Sequence, residues 1–341
     1  DFNADGKTDL AVGAYNYSSG TGRTYLFYND GSIPTTAATA DVIITGETTF
    51  NYFGAFLTSG DFNADGKTDI AVGARGYSSN TGRAYIFYND GSIPTTAATA
   101  DVIITGETSS VFGSTLTSGD FNADGKTDLA VGAYGYSTNT GRAYLFYNDG
   151  SIPTTAATAD VIITGETTSN YFGQSLTSGD FNADGKTDLA VGAYGYSTST
   201  GRVYLYETRD NFAWQLQSVS SLTGGLRTNL SFSGQEMKVT GEVGTGKFGS
   251  AMTSGDFNAD GKVDLAIGAP EYPSSTGRVY IFYDDGSLSG SASNADIVIT
   301  GETTNNYFGY SMTSGDFNAD GKTDLAVGAY NAASAAGRTY L

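Results

Sequence analysis

The residues in this chain best suited to chemistry are acids and amides at a fixed spacing. Asp1, Asn3, Asp5 and Asp9 stand in D-F-N-A-D-G-K-T-D. The pattern returns as Asp61, Asn63, Asp65 and Asp69, as Asp120, Asn122, Asp124 and Asp128, and as Asp180, Asn182, Asp184 and Asp188. Two more copies hold Asp256, Asn258, Asp260 and Asp264, and Asp316, Asn318, Asp320 and Asp324. Oxygen-bearing side chains at positions 1, 3 and 5, with a glycine at 6 for a sharp reversal, suit Ca²⁺, which takes about six to eight oxygen ligands from a flexible loop. Position 7 would offer a backbone carbonyl, from Lys7, Lys67, Lys126, Lys186, Lys262 or Lys322, and the carboxylate at position 9 would close the site. The expectation is about one Ca²⁺ per copy and up to six in all. An EF-hand would need Glu at position 12, where this loop has Val12. A plain Asp/Asn/Gly turn is the simpler alternative for one copy; recurrence favours the metal.

Charge agrees with that reading. The net charge is −19. Each acid stretch carries three Asp and one Lys, so the six stretches account for −12 and the rest of the chain for −7. One divalent cation per stretch would cancel the local excess. Such acidity argues against a nucleic-acid partner. The chain has no Cys and no His, which excludes disulfides, zinc–thiolate sites and His-based catalysis. No run of about 18 apolar residues is present, so no membrane insertion is expected of this segment.

The elements that must position the acids are short strands. The stretches begin at residues 1, 61, 120, 180, 256 and 316, spaced by 60, 59, 60, 76 and 60. Each unit holds four strand-like runs, labelled a to d: F-G-A-F-L-T-S-G-D-F, T-D-I-A-V-G-A, G-R-A-Y-I-F-Y and D-V-I-I-T-G-E in the copy from Phe53. Turn signals separate them. Run b is apolar on both faces, with Ile70 and Val72 against Ala71 and Gly73, and therefore needs cover on both. Four-stranded antiparallel sheets packed face to face around an axis meet that demand, which predicts an all-β propeller of about six blades with the acid loop in the first hairpin of each. A β-solenoid fits poorly, because its period is usually shorter.

Three motifs in fixed order, F-G, the acid loop and L-A-V-G-A, resemble the FG-GAP repeat of integrin α-chain propellers and their bacterial surface relatives. The resemblance implies Ca²⁺ in the a–b hairpins on the lower face, ligands on the upper face, and an extracellular, cell-surface or secreted protein. The proline of "GAP" occurs here only as Pro270; its place is otherwise held by Tyr15, Arg75, Tyr134, Tyr194 and Tyr330. Residues 1–341 read as a single propeller domain, truncated at both ends, with four complete blades (53–107, 112–166, 172–242 and 248–302), a partial blade at each end, and flanking domains expected in the full protein.

The upper loops joining runs b and c repeat a tyrosine, as Tyr17, Tyr77, Tyr136, Tyr196 and Tyr272, and the d–a loops add Tyr52, Tyr171 and Tyr307. Tyrosine stacks on sugars and contacts proteins at low entropic cost, so these are candidate ligand residues. The alternative is that the rings pack against neighbouring blades. The fourth unit is longer, and its c–d region at 207–247 holds Trp214, Arg209, Asp210 and Arg227; it reads either as an added functional element or as a longer hairpin at the blade's outer edge. Acids outside the loops, such as Asp41 and Glu47, are repeated rather than unique, so no catalytic constellation is expected. The functional expectation is a calcium-stabilised extracellular recognition or adhesion module, not an enzyme, that binds a protein or glycan ligand. The alternatives are a lectin-like carbohydrate binder, a spacer, or a non-catalytic part of a hydrolase.

Overall fold

The computed structural model describes residues 1–208, 237–285 and 290–341. The fold is an all-β propeller with six antiparallel blades. Blade 1 consists of strands Leu10–Ala14, Arg23–Phe27 and Val42–Thr45. Blade 2 has Phe53–Gly60, Asp69–Ala74, Arg83–Phe87 and Val102–Thr105, and blade 3 has Thr115–Gly119, Asp128–Ala133, Arg142–Phe146 and Val161–Thr164. Blade 4 has Ser175–Gly179, Asp188–Ala193, Arg202–Tyr206 and Met237–Thr240, and blade 5 has Ala251–Gly255, Asp264–Ala269, Arg278–Phe282 and Ile297–Thr300. Blade 6 has Phe308–Gly315, Asp324–Ala329 and Arg338–Tyr340. Four blades therefore have strands a, b, c and d; the first has b, c and d, and the last a, b and c. Trp214, Arg209, Asp210 and Arg227 lie outside the described residues.

Strand b is covered on both faces in the complete blades, as its composition requires. Ile70, Val72 and Ala74 pack with Leu26 and Ile44 of blade 1, whereas Ala71 joins Leu129 and Val131 of blade 3. The small residues have a steric cause. Gly73 faces the backbone of Gly113 in the next blade, and a Cβ there would collide with the Gly113 carbonyl. Gly113 itself has φ of 78°, a region that L side chains avoid. The glycines of L-A-V-G-A and F-G thus let adjacent blades approach backbone to backbone. The phenylalanine of F-G is a core anchor: Phe53 meets Tyr85 edge-on at 5.5 Å and Phe87 at 6.1 Å.

Two further devices join the blades. The Thr-Ser-Gly end of strand a forms a hydroxyl ladder around the axis: Ser118 donates to the Ser59 carbonyl at 2.8 Å, Ser178 to Ser118 at 2.8 Å, Ser254 to Ser178 at 2.8 Å, and Ser314 to Ser254 at 2.7 Å. At the rim, the segment before strand d pairs in parallel with strand d of the preceding blade, as in Thr45 with Thr96 and Thr105 with Thr155. Among the described residues, no helix is long and apolar enough to cross a membrane.

Candidate functional site

Strands a and b run antiparallel, with Gly60 paired to Asp69 and Phe53 paired to Ala74. The acid loops therefore lie at one end of every blade, and the b–c and d–a loops at the other.

Each acid loop is folded by its own side chains. In blade 2, Asp61 accepts from the N–H of Asp65 at 3.0 Å and of Gly66 at 2.8 Å, Asn63 accepts from Asp65 N–H at 3.0 Å, and Asp65 accepts from Lys67 N–H at 2.9 Å. The arrangement repeats around Asp1, Asn3 and Asp5, around Asp120, Asn122 and Asp124, and around Asp180, Asn182 and Asp184. It repeats again around Asp256, Asn258 and Asp260, and around Asp316, Asn318 and Asp320. Position 4 takes a left-handed conformation, with Ala64 at φ 60°.

Position 9 has a role inside the blade that the sequence did not reveal. Both Asp69 oxygens are engaged inside the blade: Oδ2 accepts from Phe62 N–H at 2.8 Å, and Oδ1 from Asn89 N–H at 2.7 Å. Asp128, Asp188 and Asp264 repeat this with Asn148, Thr208 and Asp284 in the turn after strand c, and Asp9 with Asn29. Asp324 accepts from Phe317 N–H at 2.9 Å. Burial pushes the Asp69 carboxyl up to about 6, with Asp65 and Asp61 adding to the rise against the two N–H donors. The same balance takes Asp128 and Asp188 to about 7.

Among the described residues, no three acidic side chains form a ready cation cage. The donor set nonetheless fits a hard cation in kind. Each carboxylate or amide oxygen has two lone pairs, and the loop N–H groups at positions 5, 6 and 7 use one at each oxygen they reach. Asp61, Asn63 and Asp65 would hold the ion from the exposed side. Asp69 would have to share oxygens that already hold the hairpin to the c–d turn.

The five repeated b–c loop tyrosines are each covered on one face by an arginine. The guanidinium carbons of Arg23, Arg83, Arg142, Arg202 and Arg278 lie 3.6–3.9 Å from the ring centres of Tyr17, Tyr77, Tyr136, Tyr196 and Tyr272. From Arg83 onward each arginine also reaches a glutamate of the preceding blade: Glu47, Glu107, Glu166, Glu242 and finally Glu302 for Arg338. That geometry favours interblade packing for these rings.

A different set of tyrosines surrounds the mouth of the axial cavity. The cavity has a volume of about 640 Å³, with Leu57, Leu116, Leu176, Met252 and Met312 in its wall and Tyr194, Tyr307, Tyr310, Tyr330, Lys247 and Glu271 toward its upper end. Tyr194 stacks on Tyr171 at 4.8 Å and Tyr330 on Tyr307 at 4.9 Å, and Tyr310 stands edge-on to Tyr330 at 4.6 Å. Lys247 pairs with Glu271 at 2.6 Å. Tyr171 and Tyr307 are d–a loop candidates of the sequence, whereas Tyr194 and Tyr330 occupy the position that in Pro270 holds the "GAP" proline, so the signal for these two lay in the departure from that motif.

Comparison with known proteins agrees with this geometry. The FG-GAP repeat profile matches residues 1–27, 53–87, 112–146, 172–206, 248–282 and 308–341. The chain belongs to the FG-GAP repeat family. Its similarity to human phosphatidylinositol-glycan-specific phospholipase D is 34% identity over 235 residues, covering 62% of this chain and 26% of that protein. It is 32% identical over 241 residues to Drosophila melanogaster integrin alpha-PS2, covering 65% of this chain and 15% of that protein. With mouse integrin alpha-M the identity is 37% over 177 residues, 49% of this chain and 14% of the integrin. The FG-GAP chain thus spans about a quarter or less of the length of these relatives, and it is an integrin alpha-like propeller over the matched repeats.

Proposed function

We propose that this propeller is a non-catalytic, Ca²⁺-stabilised recognition module of a cell-surface or secreted protein, and that it engages a protein or glycan at its upper, tyrosine-lined mouth. The observation that carries the reading is the division between the two ends of the blades. Six acid loops occupy one end, and a cavity rimmed by stacked tyrosines with one Lys–Glu pair opens at the other. Tyrosine presents large, rigid, amphipathic surface at little entropic cost.

The repeated acids outside the loops support a non-catalytic role. Glu47 and its counterparts are tied to arginines. Asp41, Asp101, Asp160 and Asp296 each accept the N–H of the residue after strand c. Each is thus engaged in holding a blade, and a catalytic group would need a unique, convergent setting.

Ca²⁺ at the loops would add stability by mass action, because the ion binds the folded hairpin and not the unfolded chain. Extracellular modules of this kind bind at about 10⁻⁴–10⁻³ M, so millimolar Ca²⁺ would fill them.

A second reading has a specific support. The relatives include a protein named for phosphatidylinositol-glycan-specific phospholipase D activity, and the matched part is 26% of it. On that reading the propeller is a substrate-presenting, non-catalytic part of a hydrolase. The test is a glycan array together with a panel of immobilised extracellular proteins, probed in millimolar Ca²⁺ and again in EDTA. Ca²⁺-dependent binding that is lost on substituting Tyr194 and Tyr330 by alanine supports the recognition reading. Binding unaffected by both changes would place the ligand elsewhere.

A further inference from the structure

We infer that Asn89 and Thr208 are positioning residues that tie the acid loop of their own blade to the acid loop of the blade before it, so that neighbouring loops order in pairs. The consequence for cation uptake rests on the Ca²⁺ reading above; the link between loops does not.

The second residue after strand c is Asn89 in blade 2, Asn148 in blade 3, Thr208 in blade 4 and Asp284 in blade 5, and all four are buried. Each gives its N–H to position 9 of its own loop. Asn89 also reaches across the blade boundary, where its Nδ2 donates to the Phe2 carbonyl of the blade 1 loop at 2.7 Å. The N–H of Phe2 is in turn held by Asp9 at 2.6 Å. Three successive hydrogen bonds thus run from Asp69 through Asn89 and Phe2 to Asp9, joining position 9 of one loop to position 9 of its neighbour. The Phe2 carbonyl belongs to the planar peptide that leads into Asn3, so the bond from Asn89 fixes how that loop oxygen is presented.

Blade 4 carries a weaker version. The Thr208 hydroxyl lies 3.3 Å from the Phe121 carbonyl of the blade 3 loop and 2.7 Å from the Thr187 carbonyl, and it has one proton to give. Phe121 N–H is held by Asp128 at 2.9 Å. The other two junctions lack the crossing bond. Nδ2 of Asn148 is buried without a hydrogen bond, and an ionised carboxylate at Asp284 has no proton to donate. Ring packing does not distinguish the junctions, because Phe2, Phe62, Phe121 and Phe181 all join the core of the following blade. The crossing hydrogen bond is what varies.

The direction of the coupling follows from the geometry. Loss of the Asn89 amide leaves the Phe2 carbonyl without its buried donor and frees the peptide before Asn3. A loop that is already ordered holds Asn89 through Asp69, so its neighbour loses less freedom when it orders in turn. Coupling is therefore positive, strongest between the loops of blades 1 and 2, weaker between those of blades 3 and 4, and absent across the Asn148 and Asp284 junctions.

The test is amide hydrogen exchange on the wild-type protein and on Asn89→Ala, in EDTA and in millimolar Ca²⁺. The substitution keeps the backbone N–H that Asp69 holds. In EDTA the amides of Asp5, Gly6 and Lys7 in the blade 1 loop should exchange at least about fivefold faster, while those of Asp65, Gly66 and Lys67 in the variant's own blade stay within about twofold. A purely local packing role would move the blade 2 loop instead. Thr208→Val should speed Asp124 and Gly125 by about twofold, and Asn148→Ala should leave the blade 2 loop unchanged. In Ca²⁺, Asp65→Ala should weaken uptake at the blade 1 loop by about fivefold, and should no longer do so in an Asn89→Ala background. If no loop takes up Ca²⁺, the calcium reading fails and the exchange in EDTA alone decides the link. An unchanged blade 1 loop, faster exchange in all loops alike, or an equal effect from Asn148→Ala would overturn the link. An Asp65→Ala effect that is absent, or the same in both backgrounds, would overturn the pairing of uptake.

Discussion

Arg83 reaches back across a blade boundary to Glu47, its Nη1 donating to Oε1 at 2.7 Å. The same oxygen accepts from Tyr85 Oη at 2.7 Å, and Tyr77 lies beneath the guanidinium at 3.6 Å. Both members of the ion pair are only 19% exposed, so it is less screened than a surface pair, which contributes about 0–1 kcal/mol. Arg83→Ala should therefore destabilise the blade 1–blade 2 junction by about 2 kcal/mol, with part of the loss coming from the stripped face of Tyr77. A double-mutant cycle with Glu47→Gln, read by urea unfolding, should give a coupling of about 1 kcal/mol or more. Strict additivity would show that the contact contributes nothing beyond packing.

The two acids at positions 5 and 9 of one loop should behave differently. Asp65 is at the exposed side of its loop, whereas Asp69 is fully buried and holds two N–H groups. Thermal unfolding in millimolar Ca²⁺ and in EDTA, with bound metal counted by elemental analysis, should show about six ions per chain and a lower melting temperature in EDTA. Asp65→Ala should remove one ion and leave the EDTA melting temperature nearly unchanged. Asp69→Ala should lower stability in both conditions by about 2–3 kcal/mol, because two buried N–H groups lose their acceptor. If neither protein nor variants bind metal, the loops are turns held only by their own hydrogen bonds.

Much of this was legible because the repeat states each interaction several times. Four runs per unit became four strands, and the two-sided apolar character of Ile70–Val72 became two-sided burial. The role of Asp69 was not legible, because its partner Asn89 lies 20 residues away, across a turn whose approach depends on the folded blade. The stacking of Tyr77 under Arg83 was equally hidden. A tyrosine near an arginine in a loop says nothing of which way either side chain points. The axial hydroxyl ladder went unread for a related reason: Ser118 and Ser59 sit in different blades, and only the ring brings them together.

Gly73 gives a sharper test of the close blade contact. A methyl group at this position would meet the Gly113 carbonyl, which is backbone and cannot swing away. Gly73→Ala should force blades 2 and 3 apart and cost about 1–3 kcal/mol or more, the range for overpacking a tight interface. Gly66 offers the comparison: its φ is 86°, but nothing lies near an added Cβ. Gly66→Ala should cost about 1–2 kcal/mol from backbone strain alone. Amide exchange should localise the first loss to the 2–3 interface and the second to the hairpin. A Gly73→Ala protein as stable as wild type would mean that the blades slide more easily than their packing implies.

The two tyrosine sets should separate stability from recognition. Tyr77 has one face covered by Arg83, so Tyr77→Ala removes a cation–π contact and should cost about 1 kcal/mol of stability. Tyr330 is half exposed at the cavity mouth, stacked on Tyr307 and met edge-on by Tyr310. Tyr330→Ala removes two aromatic contacts of about 0.5–1.5 kcal/mol each, discounted for their exposure to water. Its stability loss should be no larger than that of Tyr77→Ala. Its effect on ligand binding should be much larger, because an exposed aromatic at a cavity rim is the kind of residue on which binding energy concentrates. Parallel denaturation and array-binding measurements on the two variants decide the point. If Tyr77→Ala abolishes binding and Tyr330→Ala leaves it intact, the ligand surface is the outer ring of b–c loops and not the axial mouth.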